Sequence, residues 1–116
     1  MKEIIIETQD SYYNYISNVS NGCQFISDKI REGNLSIAIS SIMDFSEGLS
    51  WVLNVERQME VHQYFIKSAT IKVAEFLTQI NEAMEHEDYV LIADMFEYEI
   101  QPIFEEAKDW KFQKNK

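Results

Sequence analysis

Apolar residues recur at steps of three and four in four separate segments of this 116-residue chain, and that spacing is the period of one face of an α-helix. Ile16, Val19, Cys23, Ile26 and Ile30 form the first stripe. Leu35, Ala38, Ile42, Phe45, Leu49 and Val52 form the second, widened by Ile39 and Leu53. Ile66, Ala69, Val73, Phe76, Ile80 and Met84 form the third, and Ile92, Phe96, Ile100, Ile103, Ala107 and Trp110 the fourth. One stripe must be buried against another. With only three glycines and one proline to make turns, four long helices are the economical solution.

The punctuation agrees. Gly33 follows Arg31, a cation in the last turn, and suits the left-handed residue that ends a helix. Asn34 then caps the second helix, and so short a connection forces the first two helices antiparallel. Asp88 is a good N-cap for the fourth, its carboxylate facing free N–H groups at the positive end of the dipole. Pro102 lies inside the fourth stripe. It removes an N–H and crowds the turn around Tyr98, yet the apolar spacing continues past it, so a kink is expected rather than a stop. Gly22, inside the first helix, is expected to mark the close approach of a neighbour. A shift of 54 residues lays the first helical pair on the second, Asn34 falling on Asp88, as any antiparallel bundle of matched helices would allow.

The expected architecture is therefore all-α, an antiparallel up-down four-helix bundle with helices over about 10–32, 34–57, 64–85 and 88–110, the last kinked. It forms a single domain over 1–116, with an N-terminal arm at 1–9 and a frayed basic tail at 111–116. Phe45, Phe76, Ile80 and Phe96 are its expected core.

Charge and composition narrow the function. A formal net charge of −10 disfavours nucleic acid and anionic membrane surfaces, which need clustered Lys and Arg. The single Cys23 excludes an intramolecular disulfide, lies on a stripe, and has no basic neighbour to hold a thiolate. No signal-like or membrane-length apolar run is present, so a cytoplasmic location is expected. A di-iron bundle needs Glu-x-x-His pairs facing inward; neither His62 nor His86 has a glutamate three residues before it. No serine elbow or glycine-rich phosphate loop occurs. No catalytic residue, cofactor or metal ligand is assigned, and an enzyme is not expected.

What remains is surface character. Tyr12, Tyr13 and Tyr15 cannot all lie on one buried face, and Trp51 lies beside its stripe near Gly48. Aromatics of this kind are enriched at interfaces, so these four are the candidate partner-binding residues, for a protein partner or for a second copy in a homodimer. The acidic stretch from Glu82 to Asp109, with Lys108 as its one basic residue, is either a solvated face or a means of steering a basic partner. The expected role is a non-enzymatic protein-interaction module. A small-ligand or metal-binding bundle is the alternative from a different class.

Glu32-Gly33-Asn34 with Trp51 downstream, and Ala93-Asp94-x-x-Glu97-Tyr98-Glu99-x-x-Pro102 followed by Trp110, resemble an uncharacterised family of small helical proteins from Gram-positive bacteria. That resemblance covers most of the chain and carries over no site. The helix lengths, and the tight turns at Gly33-Asn34 and Glu87-Asp88, are also similar in layout to the flagellar export chaperones. That likeness implies a four-helix bundle that holds a helix-forming partner segment.

Overall fold

The computed structural model describes residues 2–114; Met1 of the expected arm, and Asn115 and Lys116 of the expected tail, lie outside them. The chain is 82% helical and forms four helices, the last bent by 29°. The first, α1 (Lys2–Arg31), is 30 residues long. At 1.5 Å per residue it spans ~45 Å, nearly all of the molecule's 49 Å long axis.

Residues 2–9 are not an arm but the opening turns of α1. Ile5, Tyr12, Ile16, Val19, Cys23, Ile26 and Ile30 are buried along one line, so the stripe begins two turns earlier than the sequence suggests. Gln9, between Ile5 and Tyr12, donates to the Met59 sulfur at 3.4 Å. Docking of this face overrides the β preference of Ile4, Ile5 and Ile6.

At the end of α1, Gly33 takes φ +82°. Its N–H reaches the Ile30 carbonyl at 3.0 Å, and the Asn34 N–H reaches that of Lys29 at 2.9 Å, which together close the helix with a Schellman turn. Asn34 stands at the cap of α2 (Leu35–Val61), but its side chain makes no capping bond. Burial of Val55 and Met59 carries α2 past residue 57.

The expected third helix at 64–85 starts late. Residues 62–69 are a connection, containing strand β1 (Tyr64–Phe65), and α3 runs only from Thr70 to Glu85. Gln63 in the left-handed region (φ +69°) turns the chain out of α2. β1 then pairs antiparallel with β2 (Gln113–Lys114), Tyr64 opposite Lys114 and Phe65 opposite Gln113. The tail is accordingly not frayed through residue 114. Phe112 packs edge-on to Tyr12, ring centres 4.9 Å apart, and its N–H donates to the Tyr13 hydroxyl at 3.0 Å.

The turn after α3 repeats the first in geometry: Asp88 N–H to Ala83 carbonyl at 2.8 Å, Glu87 N–H to Met84 carbonyl at 3.1 Å. Here glutamate, not glycine, occupies the left-handed position (Glu87, φ +54°). Asp88 caps as expected, its carboxylate accepting from the Leu91 N–H at 3.2 Å.

The fourth helix consists of α4 (Tyr89–Asp94), a π-helical segment (Met95–Ile100), α5 (Gln101–Glu105) and a 3₁₀ turn (Ala107–Asp109). The cause is legible in the burial. Ile92, Phe96, Ile100 and Phe104 are all buried, at strict steps of four. In an α-helix each such step overshoots a full turn by about 40°, so the stripe would wind off the core. The wider i→i+5 turn rotates less per residue and removes that overshoot, and Pro102, just beyond it, supplies no N–H to restore the narrower pattern. The buried residue after the bend is Phe104 and not Ile103, which is half-buried.

The core runs through Phe45, edge-on to Phe96 at 5.3 Å and to Phe104 at 6.3 Å. Ile80 is fully buried, whereas Phe76 is only half-buried and has Lys72 Nζ 5.1 Å from its ring centre. The shortened α3 leaves it at the edge. Helix α1 packs against both α2 and the bent helix, while α3 closes the ring between them.

Candidate functional site

Two polar clusters stand out among the side chains, and both are satisfied from within. Glu56 accepts from the Tyr12 hydroxyl at 2.6 Å, from Thr70 Oγ1 at 2.9 Å and from Ser68 Oγ at 3.0 Å. It thereby ties α1, α2 and the 62–69 connection together. At the opposite pole Arg31 bridges α1 to the bent helix. It reaches Asp94 at 2.9 Å and bonds both Glu97 and the buried Ser27. The bond from Arg31 holds the Glu97 carboxyl below its ordinary range, and the same bond raises the guanidinium. Two carboxylates of the acidic stretch are thus engaged by a cation of the same chain.

The tyrosine group does not form one surface. Tyr12 is fully buried, and burial together with the Glu56 carboxylate drives its hydroxyl well above the usual tyrosine range. Of the expected partner-binding residues it is the one withdrawn from solvent, because it lies one turn before Ile16 on the same buried face. Tyr13 is half-buried under the tail, with Lys111 Nζ 4.5 Å from its ring centre. Tyr15 and Trp51 do come together, ring centres 5.8 Å apart and near-perpendicular. The Tyr15 ring lies directly over Gly48, where an added Cβ would stand 1.7 Å from the hydroxyl oxygen. Gly48 is the glycine that a close approach requires; Gly22 is not, since an added Cβ there would meet nothing within 4 Å.

Gly22 instead opens a groove. Between α1 and α2 lies a cavity of about 330 Å³, floored by Val19, Ile26 and Phe45. Tyr15 and Asn18 stand at one end and Phe25 at the other, while Ser41 and Asp44 form the α2 side. Phe25 is 43% exposed and Trp51 37%, so apolar area lies open at both ends. On α1 the rim residues Tyr15, Asn18, Gly22 and Phe25 follow steps of three, four and three. On α2, Ser41 and Asp44 line the groove, on a stripe that continues to Ile37 on one side and to Gly48 and Trp51 on the other at steps of four, three, four and three. Each set is one outward helical stripe, adjacent to the core stripe of its own helix. Burial, with smaller contributions from Cys23 and Asp44, raises the Tyr15 hydroxyl, so at neutral pH it faces the groove as a neutral group. Cys23 itself is buried, its thiol pushed up to about 12 by burial alone, which makes it inert.

Sequence reasoning found the Tyr15–Trp51 end of this groove, gave Gly22 a close approach where the structure has open space, and missed Phe25 and Asp44. The available signal was a glycine in mid-helix, off the buried stripe. Among the described residues no group of three or more His, Cys, Asp or Glu is placed to hold a metal ion, and no helix is long and apolar enough to cross a membrane.

A family model described as a domain of unknown function (DUF8042) matches residues 7–109. No curated protein and no solved structure matches the chain. The matched span takes in the whole bundle except the first five residues of α1, and the chain belongs to that family.

Proposed function

We propose that this member of the family is a non-enzymatic protein-interaction module, cytoplasmic and bacterial, whose docking face is the groove between α1 and α2. One observation carries the reading. Gly22 sits in the middle of a 30-residue helix with open space where its side chain would be. A helical glycine costs about 0.8–1 kcal/mol relative to alanine. Here neither an unusual backbone angle nor a crowded neighbour accounts for that cost, whereas an open groove does. The groove floor is apolar and its ends are aromatic, the composition of interface centres.

A holder of a helix-forming segment, as in the flagellar export chaperones, is the version of this reading that the groove favours, since a trough between two antiparallel helices accepts a third. A small-ligand site is the competing class. The cavity volume is at the lower end of ligand pockets, but the exposed Gly22, Phe25 and Asp44 leave its mouth open, and such a site would cover little of a ligand.

The test is affinity capture from a lysate of the native host, comparing wild type with Gly22→Leu and Trp51→Ala. The expected result is a stoichiometric protein retained by wild type and lost on Gly22→Leu, with circular dichroism unchanged. A bound small molecule or metal in native mass spectra of the purified protein, displaced by Gly22→Leu, would replace the module reading with the ligand one.

A further inference from the structure

Among the described residues that line the groove, Asp44 is the one charged side chain, and it is exposed. It lies midway along the α2 stripe, between Ser41 and Gly48. Lys29, one turn beyond Phe25 on α1, is 3.3 Å from Glu32 and lies 5.4 Å from the Phe25 ring centre, so it is already engaged. The groove therefore presents an apolar floor, two aromatic ends and an unanswered negative charge at its centre.

We propose that the occupant of this groove is an amphipathic α-helix of a different protein, carrying a Lys or Arg one turn from a medium-sized apolar anchor. The anchor enters the notch at Gly22 and the cation meets Asp44. This rests on the reading of the groove as the docking face and adds the chemistry of what docks. The α1 side of the groove, from Tyr15 to Ile26, extends over eleven residue steps, or ~16 Å, which matches a partner helix of about three turns. Spacing of anchor and cation by three or four residues places both on the groove side of that helix. Charge decides against a second copy of this chain. Each copy carries −10, and an isologous contact through this face would bring two Asp44 side chains and both net charges together. A basic segment gains from the same field, chiefly in its rate of association. The Trp51 and Tyr15 rings offer a further cation a face to stack on.

The experiment is a display library of helical peptides of about 18 residues, selected on the full chain and counter-selected on Gly22→Leu. Nothing lies within 4 Å of the added carbon, so that variant should fold at least as well as wild type, which thermal melting verifies. Asp44→Lys, on the exposed side, serves as the independent second variant. Surviving peptides are expected to share Lys or Arg three or four residues from Leu, Ile or Met. Their synthetic versions should lose roughly tenfold or more in affinity on Asp44→Lys, and Lys→Glu peptides should recover binding to that variant. Survivors with acidic residues or no charge bias overturn the partner chemistry and leave the groove as the docking face. If every peptide selected on the full chain also binds Gly22→Leu, so that none survives the counter-selection, both are overturned. A dimer in sedimentation equilibrium that Gly22→Leu dissociates would assign the groove to a second copy and overturn the proposal.

Discussion

Removing the Glu56 carboxylate should be the most damaging single polar substitution in this bundle. Three hydroxyls donate to it: Tyr12 at 2.6 Å, Thr70 at 2.9 Å and Ser68 at 3.0 Å. Tyr12 is fully buried and Thr70 is 1% exposed, so water cannot freely replace the lost acceptor. A hydrogen bond to a charged group contributes about 1.5–3 kcal/mol, and a buried donor left without a partner costs about 1–3 kcal/mol. Thr70 and Ser68 keep a bond to each other at 3.1 Å, which spares part of that penalty. Glu56→Ala should therefore cost about 3–5 kcal/mol, a large share of the 5–15 kcal/mol typical of a domain. Glu56→Gln, which keeps one acceptor oxygen, should cost about 1–2 kcal/mol, and Tyr12→Phe about the same. Because Tyr12 and Glu56 share a bond, the double variant should fall short of the sum by 0.5 kcal/mol or more, on the order of measured couplings. Urea unfolding followed by circular dichroism supplies all four values, and hydrogen exchange over 62–69 supplies a local readout. If Glu56→Ala costs less than about 1 kcal/mol, or the two substitutions add, the cluster does not hold the connection and the reasoning fails.

Other consequences can be measured on the same preparations. Gly22→Ala should stabilise the chain by about 0.5–1 kcal/mol, since helix propensity rises and nothing is crowded; a loss of stability in urea would refute the open geometry there. Glu87→Gly should gain about 0.5–1 kcal/mol by relieving a left-handed glutamate, whereas Gly33→Ala, at φ +82°, should lose a comparable amount by the same assay. The Cys23 thiol, raised by burial from 9.0 to about 12, is neutral in the folded chain at pH values where the unfolded chain ionises. Its contribution is complete below pH 9.0 and is lost as pH climbs toward 12. Melting temperature should fall through that window, with a shallower fall for Cys23→Ala. On the acid side the lowered Glu97 contributes above its ordinary 4.5 and loses that contribution as pH falls below it. Arg31→Met should therefore flatten melting temperature against pH in that range.

The bundle was legible because its information is periodic: Val19, Cys23 and Ile26, or Ile42, Phe45 and Leu49, declare a buried face without reference to anything distant. Both tight turns were legible for a similar reason, as Gly33 and Asp88 carry local signals. What escaped were features made by residues far apart in the chain. The two-residue strands have no pattern of their own and exist because Tyr64 and Phe65 find Gln113 and Lys114. Glu56 reads as one more solvated glutamate until Tyr12 and Thr70 are placed beside it. Tyr12 itself looked superficial because the buried stripe was begun at Ile16, one turn beyond it, and because the acceptor for its hydroxyl is Glu56, far along the chain. The groove was half legible: Trp51 and Gly48 drew attention together, but the role of Gly22 is an absence, and an absence of side chain has meaning only when the neighbouring space is known.

The π-helical segment has a consequence for changes of chain length. Between Met95 and Ile100 the helix carries more residues per turn than its flanks, in effect one residue that an ordinary α-helix of the same span would omit. Deleting a single residue there has an α-helical solution with its hydrogen bonds intact, and the flanking turns keep their phase. Phe104, Ala107 and Trp110, now buried, would stay on the core, and Gln113 would keep its register against Phe65. The same deletion in the middle of α2 has no spare residue to remove: everything after it would turn by about 100° and draw back by about 1.5 Å relative to everything before it, carrying Leu49, Val52 and Val55 off the core. The π-helical segment is thus the place in the bundle where the chain can lose one residue without changing what lies downstream.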